Sequence, residues 1–181
     1  MRIALITGAS SGLGREFAKQ IPRLYKGLDE LWAVARRTER LKKLEQEISI
    51  PVRIFDGDLN RDYIYERIGK ELEKQSADIR MLVNAAGFGK MGKFEDIPLA
   101  DQLSMVDLNC RGLTKMTGIC LPYLSRGSRI LNVASAAAFS SQPGFAVYAA
   151  GKAYVYRFST ALRTELVSRG IIVTAVCPGP V

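Results

Sequence analysis

The chain has 181 residues and a formal net charge of +8; 48% of its residues are apolar and 24% are charged. These proportions are ordinary for a globular protein with one sizeable core. No apolar run approaches the roughly 18 residues of a membrane span, and the N-terminus lacks the apolar core of a signal peptide, so we expect a cytoplasmic protein with no membrane partner.

Two residue types restrict the chemistry. The chain contains no histidine, which excludes a Ser-His-Asp triad and an imidazole general base within it. Cys110, Cys120 and Cys177 lack the spacing of metal ligands, so we expect free thiols and no metal site. Basic residues are interspersed with acidic ones, as on solvated helix faces, so we expect no nucleic-acid partner; the basic charge suits an anionic cofactor or substrate.

Short apolar segments alternate with amphipathic helices along the chain. The predicted strands are 2–6, 31–35, 51–55, 79–84, 129–134 and 171–177. The predicted helices are 12–25, 38–48, 61–75, 99–121 and 146–168. Strands that are apolar throughout are typical of a sheet covered by helices on both faces. The pattern therefore predicts an α/β fold, a doubly wound parallel sheet in a single domain over residues 1–181.

The segment T-G-A-S-S-G-L-G, residues 7–14, joins the first strand to the first helix. Gly8 permits a tight exit from the strand, Gly12 lets the backbone approach a ligand, and Gly14 lets helix and strand pack closely. The following helix N-terminus presents free N–H groups to a pyrophosphate. Glycines also make plain turns, but this position favours a dinucleotide site. Its predicted contact residues are Gly8, Ser10, Ser11, Gly12, Leu13 and Gly14.

This TGxxxGxG spacing resembles the short-chain dehydrogenase/reductase family. The resemblance implies a Rossmann fold with strand order 3-2-1-4-5-6. It implies an oxidoreductase that interconverts a carbonyl and an alcohol of a small-molecule substrate. It also implies a homodimer or homotetramer, because the family commonly pairs its two long helices across subunit interfaces.

Two further segments resemble the family's cofactor-binding motifs. The matching residues are Asp58, Leu59, Asn84, Ala85, Ala86 and Gly87. The first two follow the third strand, where the family has an acidic residue near the adenine ring. The other four end the fourth strand and are similar to the family's N-N-A-G motif, with Ala85 in place of an Asn. Asn84 is also expected to tie neighbouring strands together.

The end of the second strand distinguishes between the two nicotinamide cofactors. A protein that binds NAD(H) usually has an acidic residue there, on the ribose 2′-OH. This chain has Arg36 and Arg37. A carboxylate would repel a 2′-phosphate, whereas guanidinium groups bind one through paired hydrogen bonds. The sequence therefore predicts NADP(H) as the cofactor; the alternative is a pair of surface arginines at the sheet edge.

Four polar residues are expected to converge at the carboxyl edge of the sheet. Y-A-A-G-K places Tyr148 and Lys152 on one helix face, Ser135 ends the fifth strand, and Asn109 lies in the preceding long helix. Lys152 and the positive ring of an oxidised cofactor would favour the phenolate of Tyr148, which suits acid–base catalysis. Ser135 can hydrogen-bond the substrate carbonyl. Taken singly, these residues also fit a packed aromatic, a surface cation and a helix cap.

The family resemblance implies these same catalytic roles. It adds Asn109 as a link in a proton relay through Lys152, which would also hold the nicotinamide ribose. The final C-P-G-P-V segment, 177–181, matches the turn that contacts nicotinamide, through Pro178 and Gly179. In the family a substrate loop and a seventh strand follow. We therefore expect a shortened chain, and an NADPH-binding module with little or no turnover is the alternative function.

Overall fold

The computed structural model describes residues 1–179, in which six strands and six α-helices form a sheet with helices on both faces. The strands are β1 (Arg2–Thr7), β2 (Glu30–Ala35), β3 (Val52–Asp56), β4 (Asp78–Asn84), β5 (Arg129–Val133) and β6 (Ile172–Val176). The helices are α1 (Gly12–Leu24), α2 (Thr38–Glu45), α3 (Asp62–Lys74), α4 (Leu99–Val106), α5 (Leu113–Cys120) and α6 (Ala146–Glu165). Across this described part of the chain, none of the helices could cross a membrane. Pro180 and Val181, which the sequence places in the nicotinamide turn, lie outside the described residues.

All the strands pair in parallel, in the order β3-β2-β1-β4-β5-β6. β1 lies inside the sheet, where Ile6 pairs with Ala33 of β2 and with Val83 of β4. The chain runs outward from β1 to β3 and then crosses back to β4, so the strand order reverses between β1 and β4, and ligands of open α/β sheets bind beyond the strand ends at such a point. The predicted doubly wound Rossmann sheet, including its strand order, is confirmed.

Alternate residues of β1 pack against different helix layers. Ile3 and Leu5 join the core formed with α3, α5 and α6, whereas Ala4 and Ile6 join the core formed with α1 and α2. All four side chains are 0% exposed. Because both faces are covered, the strand is apolar at every inner position and its sequence does not alternate. The two layers fix the strand ends, and so the loops that follow them.

The helix predicted over 99–121 is not a regular α-helix. α4 continues into a π-helical segment, Asp107–Gly112, and only then into α5. A π-helical turn inserts a residue into the helical repeat without ending the helix, so an apolar periodicity does not reveal it. The other helices end near their predicted limits, with α2 stopping at Glu45 and α6 at Glu165.

Candidate active site

A cleft of about 780 Å³ opens at the carboxyl ends of the strands. Its volume lies within the range of small-molecule and cofactor sites. Two of the residues assigned to the site from the sequence, Asn84 and Asn109, are not on its wall, and all the others are. Those lining residues are Gly8, Ser10, Ser11, Gly12, Leu13, Gly14, Arg36, Arg37, Asp58, Leu59, Ala85, Ala86, Gly87, Ser135, Tyr148, Lys152, Pro178 and Gly179.

The glycine turn is packed against the loop that follows β4. Gly8 has a φ of 70°, and a Cβ there would lie 2.8 Å from the backbone nitrogen of Ala86. A Cβ at Gly14 would collide with the carbonyl of Gly8. Thr7 joins the two segments, because its Oγ1 accepts hydrogen bonds of 3.1 Å from the N–H groups of both Ala85 and Ala86. Thr7 precedes the turn but was not among the site residues predicted from the sequence.

The N-terminus of α1 faces the cleft with its backbone donors uncapped. Ser11 is the N-cap residue, but its side chain makes no capping hydrogen bond, and the first turn contains no acidic residue. Among residues 1–179, no atom beyond the adjacent residues and the backbone of α1 itself lies within 4 Å of the position that a Cβ would take at Gly12. Free N–H groups and the helix dipole favour an anion at such a terminus. This open, uncapped turn fits a pyrophosphate group.

Arg37 is attached to the glycine turn. Its Nη2 donates to Ser10 Oγ at 3.1 Å and to Ser11 Oγ at 2.8 Å. Arg36 is exposed and also lines the cleft. Asp58 stands on the β3 side, where its Oδ1 accepts from the backbone N–H of Asn60 at 3.0 Å. A strong positive charge therefore flanks the α1 end of the cleft.

Lys152 is buried in the floor of the cleft, with 6% of its surface exposed. Its Nζ donates to the backbone carbonyl of Val133 at 2.7 Å and lies 5.6 Å from the centroid of the Tyr148 ring. Burial lowers the pKa of Lys152 to about 8, an effect that the neighbouring Cys110 and Cys177 thiols partly oppose. A substantial fraction of this amine is therefore neutral under mildly alkaline conditions.

Ser135 and Tyr148 face the same end of the cleft. Ser135 caps the short 3₁₀ segment Ala136–Phe139, and its Oγ accepts from the N–H of Ala137 at 3.2 Å. Phe145 stacks on Tyr148, with ring centroids 4.3 Å apart and an interplanar angle of 24°. Within the part of the chain that the structure describes, this hydroxyl donates to no acceptor, so its hydrogen can be donated to a ligand.

Several lining residues at this end of the cleft were missed by the sequence analysis. They include Gly89, Met91, Gln142 and Phe145. A Cβ at Gly89 would lie 2.6 Å from Cδ2 of Tyr148, so the loop after β4 rests directly on the tyrosine ring. Phe145 precedes Tyr148 by three residues, and this i, i+3 spacing was the available signal. The other three lie in loops, where no periodicity marks them.

Asn109 lies behind the cleft wall in the π-helical segment and is 2% exposed. Its Oδ1 accepts from the N–H of Phe88 at 3.1 Å, and its Nδ2 donates to the carbonyl of Phe88 at 2.9 Å. A Cβ at Gly87 would lie 2.8 Å from Asn109 Oδ1 and 3.5 Å from Lys152 Nζ, so Gly87 lies between them. The side chain thus holds the loop after β4. Its part in a proton relay stays a prediction.

Asn84 lies beneath the cleft and is 3% exposed. Its Nδ2 donates to Thr117 Oγ1 at 3.1 Å and to Asn132 Oδ1 at 2.9 Å. It therefore ties β4 to β5 and to α5, as expected from the sequence. Contact between Asn84 and a cofactor stays a prediction.

The comparisons with known proteins agree with this architecture. A family model described as short chain dehydrogenase matches residues 2–181. Sulfoacetaldehyde reductase 2 from Chromohalobacter salexigens is 36% identical over 186 residues, covering 98% of this chain and 71% of that one. NADP-dependent 3-hydroxy acid dehydrogenase YdfG from Salmonella typhi is 34% identical over 180 residues, with coverages of 98% and 71%.

A solved structure extends the likeness to three dimensions. A short-chain dehydrogenase from Sphingobium yanoikuyae in complex with NADPH is 30% identical to this chain, with a TM-score of 0.86. The match covers 99% of this chain and 71% of that chain. Motifs, fold and relatives agree, and the chain belongs to the short-chain dehydrogenase/reductase family of oxidoreductases.

Proposed function

We propose that this chain is an NADP(H)-dependent oxidoreductase that interconverts a carbonyl and an alcohol. The observation that carries the proposal is that the glycine turn, Arg37, Ser135, Tyr148 and Lys152 all line one cleft. The relatives named for NADP dependence and for an NADPH complex support the choice of cofactor. The substrate is a small molecule that reaches Tyr148 from the open end of the cleft.

The cleft residues fit NADP(H). The uncapped N-terminus of α1 would hold the pyrophosphate, and Asp58 and Leu59 would flank the adenine. Arg37 gives two N–H groups of Nη2 to Ser10 and Ser11. A guanidinium has five N–H donors, so three remain for the 2′-phosphate.

The nicotinamide half would lie at the other end of the cleft. There Lys152 would hold the ribose hydroxyls, and Pro178 and Gly179 would contact the nicotinamide. When bound, NADP(H) supplies or accepts the hydride. The protein's part is to hold the carbonyl carbon against that ring and to move the proton.

Tyr148 is the proposed general acid and base. Its phenol donates a proton to the carbonyl oxygen during reduction, and its phenolate accepts one during oxidation. Ser135 donates a hydrogen bond to the same oxygen, because its own oxygen is already bound by Ala137 N–H. Lys152, 5.6 Å from the tyrosine ring centroid, favours the phenolate when it is charged. Asn109 is the proposed relay member behind Lys152.

A homo-oligomer is part of the proposal. Leu99, Leu103 and Val106 are 64%, 54% and 44% exposed, respectively, and their spacing places them on one face of α4. An apolar stripe of this kind is better covered than left in water. Size-exclusion chromatography with light scattering tests this part, and a monomer at micromolar concentration would refute it.

The first test of the function is a fluorescence titration of the purified chain with NADPH, beside one with NADH. Saturable binding with NADPH clearly preferred is the expected result. Equal affinity for NADPH and NADH would refute the proposed preference for NADP(H). Binding to neither would refute the proposed function of this chain.

A further inference from the structure

A network of hydrogen-bonded polar side chains runs across the strands of the sheet below the cleft. Asn84 Nδ2 donates to Thr117 Oγ1 at 3.1 Å and to Asn132 Oδ1 at 2.9 Å. Asn132 Nδ2 donates in turn to Ser159 Oγ at 2.9 Å. The four residues are between 0% and 3% exposed. This network therefore links α5, β4, β5 and α6 inside a core that is otherwise apolar.

Such a network of polar side chains is not the most stable way to fill a core. Each polar group must keep its partner, because a buried donor or acceptor without one costs about 1–3 kcal/mol. Asn84 Oδ1 is a buried acceptor with no partner among the described residues. Apolar side chains of similar volume would avoid that cost, so stability alone does not explain why this core contains a hydrogen-bond network. What the hydrogen bonds add is a fixed relative position of the elements they join.

Ser159, the member of this hydrogen-bond network on α6, lies on the same helix face as Lys152. Ser159 follows Lys152 by seven residues, which is two helical turns. On β5, Asn132 directly precedes Val133, whose carbonyl accepts from Lys152 Nζ at 2.7 Å. α6 is thus attached to β5 at two points, Asn132–Ser159 and Val133–Lys152. A slide or rotation of α6 that broke the first hydrogen bond would also strain the second.

We infer that Asn132 and Ser159 are positioning residues for Lys152: their buried hydrogen bond sets the position of α6 along β5, so that Nζ stays on the Val133 carbonyl at the floor of the cleft. The inference rests on the proposed function only where it extends to the cofactor ribose, which Lys152 would hold. The position of the lysine itself is a property of the free protein.

The test measures Lys152 directly in the cofactor-free protein. Competitive labelling with acetic anhydride, followed by mass spectrometry between about pH 6 and pH 11, gives the pH at which this amine is half reactive. The groups that face Lys152 are Cys110 from the π-helical segment, Cys177 after β6 and Tyr148 on α6. Because burial lowers the pKa of Lys152, a displaced amine gains water and its labelling midpoint rises.

In Ser159→Ala we expect the midpoint of Lys152 to rise by roughly half a pKa unit or more, as solvation of the amine increases. Ser159→Thr, which keeps the hydroxyl, should restore the midpoint. The matched control is Ser128→Ala. Ser128 is 0% exposed, and its Oγ accepts from the N–H of Ser125 at 3.1 Å just before β5, at the end away from the cleft. The Ser128→Ala variant should lose about as much stability as Ser159→Ala without a change in the labelling midpoint of Lys152.

A second variant covers the case in which Ser159→Ala does not fold. Ser159→Cys keeps a side chain of nearly the same size while replacing the hydroxyl with a thiol, which is a weak hydrogen-bond partner, and it leaves the Asn84–Asn132 hydrogen bond intact. An unchanged Lys152 midpoint in either folded variant overturns the inference, as does an equal shift in Ser128→Ala. Weaker NADPH binding is expected alongside the shift. If the native chain bound no NADPH, the proposed function would fail, while the labelling result would still decide the positioning role.

Discussion

The guanidinium of Arg37 lies on the glycine turn, with its Nη2 2.8 Å from the hydroxyl of Ser11. Arg37, the N-cap residue of α2, is thereby held against the first turn of α1. Because its partners there, Ser10 and Ser11, are neutral acceptors, these contacts do not neutralise the arginine's positive charge. The charge remains available to an anion at the uncapped N-terminus of α1.

Arg37→Ala should therefore weaken NADPH binding by about tenfold or more, since paired guanidinium–phosphate hydrogen bonds are among the stronger ones. NADH, which lacks the 2′-phosphate, should be affected much less. Arg36→Ala should show the same preference with a smaller effect, because no serine pair holds Arg36. Fluorescence titrations with both cofactors at one salt concentration measure the difference. Equal weakening of NADPH and NADH in Arg37→Ala would mean that this residue does not read the phosphate.

Tyr148→Phe should abolish carbonyl reduction while leaving NADPH affinity within about twofold, since general acid catalysis contributes roughly 10²–10⁴ in rate. The matched control is Tyr154→Phe. Tyr154 lies on the same helix, but its hydroxyl is 2.7 Å from Thr114 Oγ1, away from the cleft. Single-turnover reduction of a trial ketone separates the two variants. Comparable rates in Tyr148→Phe and the native chain would disprove the assignment of the acid.

Gly89→Ala should slow reduction by about tenfold to a hundredfold, because a displacement of about 1 Å at a reacting group has costs of that size. A Cβ there would lie 2.6 Å from Tyr148 Cδ2 and 2.9 Å from Phe145 Cζ, so both rings must move. The control is Gly69→Ala in α3, where, among the residues described, no atom beyond the adjacent residues and the backbone of α3 itself lies within 4 Å of the added carbon. It should stabilise the helix and leave the rate unchanged. A native rate in Gly89→Ala would show that Tyr148 tolerates the shift.

The sheet and most of the cleft wall could be predicted from the sequence because they depend on topology. Continuous apolar strands such as β1 require helices on both faces, and parallel strands bring their following loops to one edge. Residues that follow the strands, among them Arg37 and Ser135, therefore had to lie along the same edge of the sheet. This inference depends on the strand order alone and needs no knowledge of which side chains are in contact.

The remaining features depend on contacts between segments distant in sequence. Asn109 holds Phe88 because a π-helical segment turns it toward the loop after β4. Gly89 touches Tyr148 across a separation that no motif spacing encodes. Asn132 reads as one polar residue within an apolar strand, and its partner Ser159 is two elements away. Local pattern therefore located Ser135, Tyr148 and Lys152, which line the cleft, but not the residues that hold them in place.

Lys152 makes the stability of the fold depend on pH. Burial lowers its pKa from 10.5 to about 8. Below pH 8 the lysine is charged in both the folded and unfolded states, so the full cost of burying the charge is present. As the pH rises from about 8 to 10.5, the folded protein releases the proton first, and this contribution makes the fold more stable. Above that range both states are neutral and the cost is gone.

Lys152→Met should consequently be more stable than the native chain at pH 7. The shift corresponds to a burial cost on the order of 3 kcal/mol at 1.36 kcal/mol per pKa unit. About 1 kcal/mol is lost with the hydrogen bond to Val133, so a net gain of about 1–2 kcal/mol is expected. The advantage should disappear by about pH 10.5, where the native lysine is neutral in both states. The variant should also lose carbonyl reduction.

Urea unfolding of both proteins at neutral and alkaline pH measures the effect, because groups common to the two chains cancel in the difference. Lys70→Met, which removes an exposed lysine of α3, provides the control for the loss of one positive charge. A Lys152→Met variant that is less stable at pH 7, by an amount that does not change with pH, would show that burial of this amine carries no charge penalty. The gain in stability with loss of reduction is the expected signature of a lysine kept for catalysis.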